Sequence, residues 1–254
     1  MALLKVLLLL LVLLVLLVLG VSVNSGVSRQ KRIIGGRNCH DTERLYHVRL
    51  ESTNVTHRMR CGGSLIHPEW ILTATHCWQP GWTIKAVLKV HPRTAVQQRP
   101  AIRLPPETYR LFGKLHDIMM LKLETPVTDV PVAPLPDCNN RLKVGDVVQL
   151  AGEGGTTTGP NNMRLPLTDA IPSELQCVNM KVNQVLDVMK YRGHLFSAQA
   201  PNKDICLGDD GGAAMHNGMI YGVIVIGGEP VCMKDPVTIM DVCEYQGWIK
   251  HRLS

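Results

Sequence analysis

Hydrophobic positions along the chain fall in short runs. Leu45–Leu50, Gly63–Ile66, Ile84–Val90, Ile118–Leu123, Val147–Ala151, Met219–Ile226 and Val237–Val242 are each four to eight residues long. Between them stand turn formers: His67-Pro68, Gln79-Pro80-Gly81, Pro105-Pro106, Gly227-Gly228 and the Gly/Thr/Asn-rich stretch Glu153–Asn162, which reads as a surface loop. Many short strands punctuated this way predict an all-β sandwich or barrel. Helical spacing occurs at the end, where Tyr245, Trp248, Ile249 and Leu253 are followed or interleaved by Lys250, His251 and Arg252. That pattern predicts a short C-terminal helix. A Pro-rich connection, Pro126–Pro136, divides the chain near its middle, and Met119 and Met120 read as core.

The N-terminus changes the picture. One lysine, Lys5, precedes an unbroken Leu/Val run from Val6 to Leu19, and small or polar residues follow to Gly26. This is the order of a secretory signal peptide, and the run is shorter than the ~20 residues a membrane span needs. The reading is a signal peptide over 1–25, a short propeptide over 26–32, and a secreted, extracellular domain from 33 to 254. Lys31-Arg32 before Ile33-Ile34-Gly35-Gly36 is a processing signal with a flexible turn behind it. Residues 1–32 hold four basic residues and no acid, so the net charge of +6 falls by four in the rest. A near-neutral body points to no nucleic-acid partner. Eight cysteines in an oxidising compartment read as a disulfide framework, and the lack of any Cys-x-x-Cys pair argues against zinc. No metal or cofactor is expected, and no membrane contact once the signal is removed; a monomer is expected.

Three segments carry candidate chemistry: Leu72-Thr73-Ala74-Thr75-His76-Cys77, His116-Asp117-Ile118, and the glycine-framed turn Gly208-Asp209-Asp210-Gly211-Gly212-Ala213. Each alone is a weak signal. Their order, behind Ile33-Ile34-Gly35-Gly36, resembles the chymotrypsin-like serine proteases, trypsinogens in particular, from Ile33 to about Arg252. The resemblance implies two six-stranded antiparallel β-barrels, about 33–133 and 134–254, with the site between them and a helix at the end. It implies the disulfides Cys39–Cys177, Cys61–Cys77, Cys138–Cys243 and Cys206–Cys232, each worth ~2–4 kcal/mol. Gln149, Val188 and Ser197 stand where partners of two further trypsin bridges would be.

The resemblance also assigns roles. His76 matches the general base, Asp117 the acid that fixes its tautomer, Gly208 the oxyanion-hole donor and Asp204 the acid that selects Lys or Arg. Asp209 matches the acid that binds the new amino group of Ile33 after cleavage at Arg32. The nucleophile does not match, because Asp210 stands where the family has serine. A carboxylate there is a poor acyl acceptor and places negative charge where the transition state develops its own. The resemblance puts Asp204, Gly227 and Val237 at the specificity pocket; by it Val225, Ile226 and Val237 replace a serine, a tryptophan and a glycine of the cleft, and with Ile205 they imply a smaller and less polar pocket. The expected function is therefore a protease homologue without turnover, binding a protein, a glycan or a microbial-surface component. The alternative is an active trypsin-like endopeptidase released at Arg32–Ile33. Asp210 is expected to pair with His76 or to accept from Gly208.

Two surface features remain. No acid lies between Glu69 and Glu107, while Lys85, Lys89, Arg93, Arg99 and Arg103 do, a candidate basic exosite unsuited to calcium. Asn54-Val55-Thr56 is a glycosylation acceptor.

Overall fold

The computed structural model describes residues 33–155, 161, 163, 174–186, 193–225 and 236–254. The expected signal peptide and propeptide, with Arg32, Val188, Ile226, Gly227 and Cys232, lie outside these residues.

The first sheet is built from β2 (His47–Thr53), β3 (Arg58–His67), β4 (Trp70–Thr73), β5 (Thr83–Val87), β6 (Ile102–Leu111) and β7 (Lys114–Leu123). They pair antiparallel in the order β5-β2-β3-β4-β7-β6, a half-barrel. Its interior is filled by Val48, Leu50, Leu65, Ile71, Leu72 and Met119, all fully buried in one apolar cluster. Met120 joins them at 0% exposure, as its place in an apolar run requires.

The second sheet holds β1 (Arg37–Asn38), β8 (Val147–Gly152), β9 (Gln176–Leu186), β10 (Leu195–Gln199), β11 (Ala213–His216), β12 (Met219–Ile224) and β13 (Val237–Asp241). The order is β1-β9-β10-β13-β12-β11-β8, and a further β8–β9 ladder closes six of these strands into a barrel, with β1 extending it. Val148, Leu150, Phe196, Ile224 and Ile239 fill that barrel. A 3-10 turn over Val242–Tyr245 leads into α1 (Gln246–Leu253), the helix expected from the spacing of Tyr245, Trp248 and Ile249. Arg252, in its last turn, reaches back to Glu107 on β6 at 3.0 Å. The architecture is two six-stranded antiparallel barrels, one closed and one half-barrel, with a short C-terminal helix.

Each of the seven apolar runs overlaps a strand, but the described residues hold more strands than runs. Pro105-Pro106, read as a turn, lies inside β6. The ladder to β7 shifts register between Arg103 and Glu107, so the prolines sit where no paired N–H is required. The surface loop expected from Glu153 is corrected at its first residue, since Glu153 is 2% exposed. Three of the four implied disulfides are formed: Cys39–Cys177, Cys61–Cys77 and Cys138–Cys243. The fourth, Cys206–Cys232, has one partner outside the described residues. Cys138–Cys243 joins the connection after β7 to the turn before α1, and Cys39–Cys177 ties the N-terminal segment to β9.

Candidate active site

β4 ends at Thr73, and the chain tightens into a 3-10 turn over Thr75–Cys77 that carries His76. Two contacts hold this turn. Cys77 is bonded to Cys61 on β3, and the Thr75 hydroxyl donates to the His116 carbonyl at 3.0 Å. β7 then presents Asp117 to the turn: His76 N–H donates to Asp117 Oδ1 at 2.9 Å, and Nδ1 donates to Oδ2 at 2.8 Å. Two bonds to one carboxylate fix both the ring plane and the tautomer, which leaves Nε2 as the outward nitrogen.

The third segment arrives from the second barrel. Asp209 N–H donates to the Cys206 carbonyl, Gly212 N–H to the Asp209 carbonyl and Gly211 N–H to the Ile224 carbonyl, closing a tight turn. Gly62 N–H on β3 donates to the Asp210 carbonyl at 2.6 Å, so the first barrel grips the turn. Glycine is required at 211: φ is +77°, and a Cβ would lie 2.2 Å from Thr73 Oγ1 and 2.3 Å from the Gly62 carbonyl. The turn thereby places Asp210 Oδ1 3.4 Å from His76 Nε2. The expected His76–Asp210 pairing is present.

The electrostatics follow from that geometry. Burial disfavours a charged imidazole, but hydrogen bonds and charge from Asp117 and Asp210 outweigh it and push His76 up to about 10. At neutral pH the ring is an imidazolium clamped between two carboxylates. Burial raises the Asp117 carboxyl, yet its bonds to His76 hold it below the usual range. Asp209 is fully buried and accepts from Gly154 N–H at 2.8 Å and Cys206 N–H at 2.7 Å. Burial and the nearby charges of Asp210 and Asp204 still push its carboxyl up to about 7.

The other expected site residues are placed as follows. Gly208 is buried with φ +103°. Ile33 is fully buried in the apolar cluster that also holds Ile205 and Val237. Asp204 is 2% exposed, and its Oδ1 accepts from Ile205 N–H at 2.8 Å. Val225 is buried and donates its N–H to the Thr238 carbonyl. Asn54 stands in the loop between β2 and β3, its side-chain oxygen accepting from Thr56 and His57 N–H. Three of the five bases of the candidate exosite are paired with acids. Lys89 pairs with Asp129, Arg99 with Glu51 and Arg93 with Glu153. Lys85 and Arg103 are exposed and carry no ion pair among the described residues.

A buried charged network behind the site was not expected. Arg49 Nε and Nη2 donate to Glu153 Oε2 and Oε1 at 2.7 and 3.1 Å, and both side chains are 2% exposed. Arg93 adds a second guanidinium to Oε1. His47 lies beside them: burial, which the Glu153 charge only partly offsets, pushes it down to about 4, so it is neutral. Glu153 immediately precedes Gly154, so a charged clamp between the barrels anchors the loop that binds Asp209. The signal in the sequence was Arg49 between the core residues Val48 and Leu50, on the opposite face of β2 and yet fully buried. Its partner lies 104 residues away.

Comparison with known proteins agrees with this geometry. The family model described as Trypsin matches residues 33–249. A snake venom serine protease of Trimeresurus stejnegeri is 30% identical over 238 residues, covering 87% of each chain. Kallikrein 1-related peptidase b21 of Mus musculus is 28% identical, covering 89% of this chain and 91% of its own. Among solved structures, mouse neuropsin superimposes with a TM-score of 0.69 at 24% identity, over 86% of this chain and 99% of its own. With the family model matched across nearly all residues beyond Arg32, this chain belongs to the trypsin family of chymotrypsin-like serine proteases.

Proposed function

We propose that this trypsin-family chain is a secreted protein, processed after Arg32, that binds its target without turning over peptide bonds. The observation that carries the reading is the Asp210 carboxylate at 3.4 Å from His76 Nε2. Two elements of acyl transfer are missing as a result. No hydroxyl stands at the nucleophile position, and the base that would deprotonate one already holds a proton, because His76 is raised to about 10. In a Ser-His-Asp triad the loss of serine alone costs about 10⁶ in turnover. A carboxylate in its place also repels the oxyanion that the turn would otherwise stabilise. The cleft and the loops around it remain as a binding surface, for which a protein, a glycan or a microbial-surface component is the proposed class of ligand.

The His76–Asp117 geometry, intact at 2.8 Å, favours the second reading of an active trypsin-like endopeptidase. One experiment separates the two. The secreted protein is cleaved at Arg32, and hydrolysis of Lys and Arg amide substrates is measured beside the Asp210→Ser variant. The expected result is no turnover above background for either protein, since buried Val225 and Val237 disable the cleft independently. Robust turnover by the natural chain would establish the second reading.

A further inference from the structure

On the outer face of the closed barrel lies a cavity of about 750 Å³, within the ~300–1,000 Å³ range of small-molecule sites. Its frame is a row across three adjacent strands. Val147 on β8 pairs with Lys181 on β9, and Lys181 pairs with Gln199 on β10. Asn183 shares the face of Lys181 at two-residue spacing, and Pro201 and Lys203 close the far side from the loop after β10.

The lining has one electrical character. Lys181 and Lys203 carry no ion pair among the described residues, and no Asp or Glu lines the cavity. Ser197, at a position where trypsins place a bridging cysteine, donates its hydroxyl to Asn183 Oδ1 at 2.7 Å. That bond takes the acceptor end of the amide and leaves its NH2 to donate into the cavity. Val147 and Pro201, both exposed, supply apolar surface beside these donors.

We propose that this cavity binds a small amphipathic organic anion, with its carboxylate or sulfonate head on Lys181, Lys203 and Asn183 and its apolar body on Val147 and Pro201. The site also communicates with the processed end of the chain. Asp204, next to Lys203, donates its N–H to the Ile34 carbonyl at 3.1 Å. A Cβ at Gly35 would lie 2.3 Å from the Asn202 carbonyl and 3.0 Å from Lys203 Cγ. The loop bearing Lys203 is thus pinned by the residues just behind Ile33. No lining residue belongs to the His76–Asp117–Asp210 cluster, so the proposal stands apart from whether the cleft has turnover.

The test is fluorescence titration of the full secreted chain with anilinonaphthalene sulfonate, followed by competition with decanoate and with decanol. One saturable site per chain is expected, displaced by decanoate and not by its neutral analogue. Lys181→Met/Lys203→Met should weaken binding roughly tenfold or more, since two charged hydrogen-bond donors are lost. Lys114→Met, on β7 of the other barrel, should leave it unchanged. The methionine pair keeps the apolar stems in place, and its circular dichroism spectrum and melting temperature verify folding. An Asn183→Leu variant gives an independent arm, with weaker binding expected there too. Unchanged affinity in the folded methionine pair or in the leucine variant, or equal displacement by decanol, would overturn the proposal.

Discussion

His76 Nε2 and Asp210 Oδ1 stand 3.4 Å apart in a setting where the second carboxylate of the imidazolium, Asp117, is already bonded on the far side. The imidazolium is therefore held by two acids acting together, Asp117 at Nδ1 and Asp210 at Nε2, and removing one must release part of the hold. Asp210→Asn is expected to lower the His76 pKa from about 10 toward the value that Asp117 alone supports. Titration of the His76 ring resonance by NMR measures this directly. An unchanged pKa in the variant would show that Asp210 contributes nothing to the hold. Asp210 itself was legible in the sequence, because the glycines at 208, 211 and 212 frame it and leave the position unambiguous. The distance to His76 was not, since it depends on the Gly62 N–H that draws the Asp210 carbonyl onto β3. Glu153 was illegible for a different reason. Local composition there reads as an exposed loop, and only a guanidinium from another barrel makes its burial tolerable.

At the scale of elements, that same pair joins β2 of one barrel to the end of β8 of the other. Burying a carboxylate requires its partner to stay. Arg49→Ala should destabilise the fold by about 3–5 kcal/mol, the cost typical of breaking a buried ion pair. Arg93 remains on Glu153 Oε1 in that variant, which places the expected loss at the lower end of the range. Denaturant unfolding measures it, and a loss under about 1 kcal/mol would mean the pair behaves like a surface bridge. Strands that overlap a largely apolar run were readable: β2, β3, β5, β7, β8, β12 and β13. β6 was hidden by Pro105-Pro106, which an edge strand with a register shift accepts. β9 was hidden because its inward Val178, Met180 and Val182 alternate with polar residues that face the opposite side.

For the whole molecule, two buried acid–base features act on stability in the same direction. His76 is raised above its unfolded value, so its contribution is complete below pH 6.5 and is lost as pH rises toward about 10. Asp209 is raised to about 7, so the folded chain keeps a proton there that the unfolded chain has released above 3.8. Stability therefore falls as pH climbs through that interval as well. Carboxylates held low, such as Asp117 and Glu153, act oppositely, but only as pH drops below the unfolded range near 4. The chain should melt at a higher temperature at pH 6 than at pH 9, and calorimetry at the two values checks it. A melt that is flat or rises between them would contradict the assigned pKa shifts.

The closed barrel has a consequence for how another polypeptide can add to this one. A ring in which β8 pairs with β9 leaves the two-residue β1 as its edge, whereas the half-barrel ends in two rims, β5 and β6. Strand addition, the mode in which a partner's main chain extends a sheet, needs such a rim. Pro105 and Pro106 blunt the β6 rim, since neither has an N–H to offer. A visiting strand is left with β5, Thr83–Val87, whose outward Thr83 and Lys85 make that rim polar and discourage casual self-association.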